Sequence, residues 1–375
     1  MRKNKKNPVK VMLIWAVVLA VLAFAAYFGA DVIEDYRAKR LEDMQAEVAE
    51  INSQRSQAYA QEMAAYQQKL ANKAVVSWPD PTGEGWEVLD LTAYPLENAT
   101  TVAADRAAVM NNGLLLVNEW HARPDDFDET EIVSVGNYTR YSIQVHDGSV
   151  KLFPKAIDAL VEALNDAKQL GFIDYLVSEG YRTWETQNTY FQNKVAQLED
   201  RYTGDELIAR AKKEVNYPGT SEFNTGLSFT LRLYNKEDAS IGRQDYPTTS
   251  AGQWMNENCW KYGLIFRFPL EDFPVQGTLS KASKTGVSVE LNLYRYVGKG
   301  HAAAMHALDM CLEEYIEYLQ DHPHIAVYEN GELRYEIYRQ MVGDAPSFNL
   351  EITRNATAYE SSLDTMGAVV TVFEY

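Results

Sequence analysis

From Leu227 to Leu233 every second residue is large and apolar, with Leu227, Phe229, Leu231 and Leu233 alternating with Ser228, Thr230 and Arg232. A repeat of two places one set of side chains on one side of an extended chain, so this run predicts a strand with one face in a core and Thr230 on the other. A loop of Pro218, Gly219 and Thr220, a polar segment and then Gly226 lead into it. Two other stretches, GYRTWETQ at 180–187 and VELNLYRYVG at 289–298, lie far off in the chain. Ordinary helical and strand sequence separates the three. Any site they build together is assembled from distant parts.

Helical periods surround these stretches. Residues 155–170 carry Ile157, Leu160, Val161, Leu164 and Ala167 on one stripe, and Gly171 supplies the stop. The run 173–177 predicts a buried strand that turns out of the core at 178–182, followed by helices over 183–198 and 203–215. Residues 253–262 read as a helix and 264–268 as a strand before Pro269. A single long helix is expected over 300–319. In 287–296, period two turns Glu290, Asn292 and Tyr294 one way and Val289, Leu291 and Leu293 the other. Beyond Pro323 the character changes. Runs at 325–328 and 333–338 flank Asn330-Gly331, a hairpin turn signal, and 348–353 and 368–373 are further strands, so 324–375 reads as a small all-β appendage.

The amino-terminal end points to a membrane. Residues 1–10 hold five basic groups and no acid, and 11–30 follow as twenty residues without a charge, about 30 Å as a helix. That length favours an uncleaved transmembrane helix over a signal peptide, and the basic flank puts 1–10 in the cytoplasm and the remainder outside, at the plasma membrane. Residues 31–77 are expected to form a polar helical stalk. Leu41, Met44, Val48 and Ile51 follow coiled-coil spacing that weakens at Arg55, so a lone stalk and a stalk-mediated dimer both remain open. Two Pro and two Gly within 78–85 mark its end, and 86–321 is left as the main domain. A formal charge of -18 weighs against nucleic acid as a partner. Cys259 and Cys311, the only thiols, sit among apolar neighbours and read as buried free cysteines.

The stretch 114–319 resembles the zinc D-alanyl-D-alanine carboxypeptidases of the VanY type, a cell-wall peptidase family. The resemblance rests on GYR at 180–182, Gln187, PG at 218–219, Ser221, Glu222 and Gly226, YGLIFRFP at 262–269, RYVG at 295–298, His301-Ala302 and LEEYIEYL at 312–319. It implies an α+β fold, an antiparallel sheet with packed helices. In that family S-E-H-x-x-G-x-x-x-D supplies two zinc ligands, and E-P-W-H-x-R-Y-V-G supplies the catalytic Glu and a third ligand. Residue by residue, the metal positions fall on Phe223, Thr230 and Leu293, and the catalytic Glu falls on Glu290.

A catalytic zinc ordinarily takes three His, Cys or carboxylate ligands plus a water whose pKa it lowers from about 15.7 to about 7. Phenylalanine and leucine offer no lone pair, so no zinc or other cofactor is expected, and Glu290 is a retained acid without a metal-activated water to deprotonate. The resemblance implies that Arg182 grips a substrate carboxylate, with Gln187 and Ser221 beside it. The competing role for Arg182 is an internal ion pair with Glu290 or Glu222. His301 and His306 are five apart and do not share the helix face a metal pair needs, and His322 and His324 flank Pro323 in an expected exposed linker. The expected protein is therefore a membrane-anchored, extracytoplasmic peptidase homologue without catalysis, binding a peptidoglycan stem peptide or an extracellular protein. An active D-alanyl-D-alanine carboxypeptidase with an unorthodox site and a structural member of a wall-associated assembly are the alternatives.

Overall fold

The structure is a computed structural model that describes residues 39–375 apart from 41, 56, 60, 69, 72–76, 288 and 289. The basic tail and the uncharged segment 11–30, expected to cross a membrane, lie outside the described residues. Among the described residues no helix is long and apolar enough to do so. Residues 51–375 form one compact unit, and the helical residues before 51 belong to another.

Two five-stranded sheets organise the larger unit. The first orders its strands Gln144–Val145, Tyr175–Glu179, Ser228–Leu233, Leu293–Tyr296 and Leu264–Phe266. Its pairings are antiparallel except for the short edge strand Gln144–Val145, which runs parallel to its neighbour. The alternation seen in the sequence does what period two dictates. Phe229, Leu231 and Leu233 enter a core with Val177 and Tyr294, and the helix Pro154–Gln169 covers that face with Ile157, Leu160 and Leu164. Val161 stays at the rim. The fold is thus α+β with antiparallel sheets and packed helices.

The second sheet orders Trp86–Asp90, His324–Glu329, Glu332–Met341, Ala368–Glu374 and Ala358–Leu363, all antiparallel. The carboxy-terminal strands expected as an appendage therefore share their sheet with 86–90, and Ser347–Thr353 pairs with Ala99–Asp105. Asn330 and Gly331 take positive φ of 51° and 83°, as the expected hairpin turn requires. A second core joins this sheet to the helices Lys299–Leu308 and Leu312–Asp321. These two replace the single long helix expected. Asp309 takes a left-handed conformation that closes the first, and Glu314 accepts from the Cys311 backbone to open the second.

Two further expectations change. The described residues of 51–71 are helical, but they do not stand free as a stalk. Tyr59 and Tyr66 are buried and donate to the carbonyls of Thr365 and Arg339 at 2.8 and 3.2 Å, and Glu62 Oε1 lies 2.5 Å from Arg339 Nη1. The apolar stripe that faded at Arg55 is continued by Arg55, Tyr59, Glu62 and Tyr66, whose long stems pack while the two tyrosine hydroxyls and Glu62 reach partners in the larger unit. His324, expected in solvent, is fully buried: its Nδ1 faces the Tyr94 carbonyl at 3.0 Å and its Nε2 faces Glu336 at 2.8 Å. It opens a central strand, so its ring points into the sheet's own packing. Cys259 and Cys311 are free and buried, as expected.

Candidate functional site

The centre of the first sheet brings the three distant stretches together. Glu179, Thr230 and Leu293 fall in one cross-strand row, because a bulge between Val177 and Glu179 shifts the register and sets Glu179 opposite Thr230. Leu293 sits on this face while Tyr294 enters the opposite core, and the strand begins only at Leu293, so the period-two alternation expected over 287–296 does not extend back to Glu290. The Thr230 hydroxyl is 2.9 Å from that of Ser178.

Phe223 arrives on the one-turn helix Glu222–Thr225, which ends at Gly226 in a left-handed conformation. A Cβ at Gly226 would stand 2.8 Å from Ile132 and 3.0 Å from Phe153, so only glycine lets the chain re-enter the sheet there. Ser221 is buried as the cap of this turn, with its backbone N–H donating to Asn224 Oδ1 at 3.3 Å. Phe223, Leu293 and Phe268 form a buried apolar cluster with Val287 at its edge.

Arg182 lies over this cluster, its guanidinium carbon 3.9 Å from the Phe223 ring centre and 4.9 Å from that of Tyr190. Its backbone N–H donates to the Phe223 carbonyl at 2.9 Å, and Gly180 precedes it because a Cβ there would stand 2.5 Å from the Lys151 carbonyl. The competing ion pair with Glu290 or Glu222 is not formed. Arg182 Nε donates instead to Glu179 Oε1 at 2.7 Å, with Nη2 at 2.6 Å from the same oxygen, since a residue three positions back on the bulged strand end is nearer than either. Nη1 donates to Gln187 Oε1 at 3.2 Å, and Gln187 in turn donates to the Asn216 carbonyl at 2.8 Å. Arg182 and Gln187 therefore meet directly, while Ser221 is turned into its own loop. Glu290 is half-buried beside them. Desolvation raises its pKa above the ordinary carboxyl value, with Arg182 opposing and Glu179 adding to the rise.

Glu222 is held elsewhere. Beneath the apolar cluster, Arg267 Nε donates to Glu222 Oε2 at 2.8 Å, and its two terminal nitrogens grip Glu313 at 2.9 and 2.7 Å. Arg295 donates to Glu222 Oε1 and to the carbonyls of Gly113 and Leu115 at 2.7 and 2.8 Å. Ser228 and Asn118 complete the two carboxylates at 2.5 and 3.1 Å. All four charged side chains are buried, two of each sign. Reasoning from residues alone missed Glu179 and this network, although its arginines stand inside YGLIFRFP and RYVG. Arginine in the middle of an otherwise apolar strand was the available signal.

Burial alone would raise the Glu222 carboxyl, but the Arg295 and Arg267 guanidiniums and the Ser228 hydroxyl hold it down to about 2. A depressed folded-state value stabilises the protein above the unfolded carboxyl's value and is lost as pH falls through the folded one. Relative to Glu222→Gln, the wild type should lose on the order of 3 kcal/mol more stability between pH 5 and pH 2. Urea unfolding of both proteins across that range checks it; parallel pH curves would show that Glu222 is not held ionised.

The three positions that the resemblance assigns to zinc carry a phenyl ring, a hydroxyl bonded to Ser178 and an isobutyl group. That donor set does not fit a catalytic zinc, which needs nitrogen, thiolate or carboxylate ligands. Among the described residues no group of three or more His, Cys, Asp or Glu could hold a metal ion.

Comparison with known proteins agrees with the fold. Residues 149–299 match the VanY family, described as D-alanyl-D-alanine carboxypeptidase. A D-alanyl-D-alanine carboxypeptidase of Enterococcus faecium is 28% identical over 279 residues, 74% of this chain and 80% of that protein. One of Enterococcus faecalis is 30% identical over 236 residues, 63% of this chain and 76% of that protein. Among solved structures, the vancomycin-resistance D,D-dipeptidase VanXYg in complex with a D-Ala-D-Ala phosphinate analogue superposes with a TM-score of 0.55 at 21% identity, covering 74% of this chain and 99% of that one, a likeness of fold. With a sheet, a turn and an arginine arranged in this way and relatives of this extent, the chain belongs to the VanY family of D-alanyl-D-alanine carboxypeptidases.

Proposed function

We propose that this family member has given up metal-dependent hydrolysis and retains the grip on a peptide carboxylate, on a domain anchored at the outer face of the plasma membrane. The observation that carries the reading is the exchange at one point of the sheet. Phe223 and Leu293 pack where the resemblance puts zinc ligands, yet Arg182 remains above them, held in place by Glu179 and Gln187. A guanidinium has five N–H groups. The contacts to Glu179 and Gln187 leave at least two of them, one on each terminal nitrogen, for an incoming carboxylate, and the side chain keeps 18% of its surface exposed. The expected ligand is the carboxy-terminal end of a wall stem peptide. Five basic groups before twenty uncharged residues support the anchor and its orientation.

Isothermal titration with a peptide ending in D-Ala-D-Ala, alongside a hydrolysis assay on protein purified without chelator, tests this. Saturable binding without turnover, weakened about tenfold or more in Arg182→Ala, is the expected result. Turnover abolished by chelation would overturn it in favour of an active enzyme. Absence of both binding and turnover would overturn it in favour of a structural role in a wall-associated assembly.

A further inference from the structure

A second groove lies away from Arg182, at the other end of the strand Leu293–Tyr296. Its volume is about 620 Å³, and its walls come from the second sheet and from the segments around 260 and 299. That size falls within the range of small-ligand sites. Trp86 and Trp260 meet edge to face with centroids 5.3 Å apart, and Trp260 is stacked on His306 with centroids 4.0 Å apart. The two indoles are therefore fixed before any ligand arrives, and both are only half-buried. Around them stand Lys261, Lys299 and Arg334, with Glu329 paired to Arg334 at 2.8 Å. Lys261 donates to Asn258 at 2.7 Å and Lys299 to Glu162 at 2.9 Å, so the polar rim is also held in position.

These walls select a class of ligand. A wholly apolar ligand would strip water from the three cations and Glu329 without replacing its hydrogen bonds, and an anion would meet Glu329 and Glu374 as well as the lysines. A pyranose ring has an apolar C–H face that can lie on an indole, and each hydroxyl both donates and accepts, which suits a neighbouring guanidinium and carboxylate. We infer that this groove binds a saccharide chain. Trp86, Glu329 and Arg334 lie outside the span 149–299 that matches the family, so the groove depends on strands that this chain adds to that span. The inference does not rest on peptide binding at Arg182.

The test titrates the purified protein with a β-1,4-linked tetramer of N-acetylglucosamine, followed by tryptophan fluorescence and calorimetry. Saturable binding is expected, weakened about tenfold in Trp86→Ala and less in Trp86→Phe, which keeps an aromatic face. Arg334→Gln, on a largely exposed side chain that cannot compromise folding in the way a lost indole could, should weaken binding as well. No saturable signal with the tetramer overturns the inference, as does unchanged affinity in Arg334→Gln and Trp86→Ala together. A proline-rich peptide that binds while the tetramer does not would also overturn it and make the groove a protein-docking site.

Discussion

Arg267→Met is expected to cost about 3 to 5 kcal/mol of folding stability, a large share of the whole for a protein of ordinary stability. Methionine fills much of the space, so the loss comes from charge rather than volume. Arg267 is fully buried between two carboxylates, and without it the one hydrogen bond left to the Glu313 carboxylate among the described residues is from Asn118, while Glu222 keeps Arg295 and Ser228. The network divides into two neutral pairs, Arg267 with Glu313 and Arg295 with Glu222, joined by the single bond from Arg267 Nε to Glu222. Removing both members of the first pair, Arg267→Met with Glu313→Leu, leaves the second pair neutral and deletes the orphaned charge. The double variant should therefore be more stable than Arg267→Met alone, because exchanging a buried pair for apolar residues is often neutral where breaking it is not. Urea unfolding of the two singles and the double measures this directly. Additive losses, or a cost below about 1 kcal/mol for Arg267→Met, would mean that water or a neighbouring group satisfies these charges.

This network shows where sequence reasoning reaches its limit. The strand Ser228–Leu233 and the helix Pro154–Gln169 were legible because a period of 2 or 3.6 is a local property, and the Asn330-Gly331 turn because its chemistry is local too. Arg182 and Gln187 came together as expected because five residues span one cap and the first turn of a helix. What stayed hidden depends on register or on distance along the chain. A one-residue bulge at Ser178 decides that Glu179 faces Arg182, and no periodicity announces it. The pairing of Trp86–Asp90 with His324–Glu329 joins ends of the chain more than 230 residues apart, so the carboxy-terminal strands read as self-contained. The stripe from Arg55 to Tyr66 escaped notice because apolarity was sought where tyrosine hydroxyls and Glu62 make the contacts.

The combined variant Phe223→His, Thr230→Asp and Leu293→His is expected to bind zinc more tightly than the wild type. The expectation follows from register. Thr230 and Leu293 are direct cross-strand partners on one face of the sheet, which sets their Cβ atoms roughly 4.5 to 5.5 Å apart, and Phe223 packs against Leu293 from the adjoining turn. Three side chains meeting over one spot can become three ligands, and imidazole occupies less space than phenyl, so the exchange needs little rearrangement of Phe268 or Val287. Arg182 works against it, because its guanidinium lies 3.9 Å from the Phe223 ring centre and would repel a divalent cation there. Affinity should accordingly rise further in the background Arg182→Gln. Both new histidines must be neutral to bind, so affinity should fall as pH drops below their ordinary value of about 6.5. Competition against a chromophoric chelator gives the affinity. The rise in unfolding temperature with added zinc gives an independent measure, since a ligand bound only by the folded state stabilises it in proportion to the logarithm of its concentration. Zinc binding no tighter than that of the wild type, in a variant that still folds, would show that Phe223, Thr230 and Leu293 do not stand at the family's metal positions.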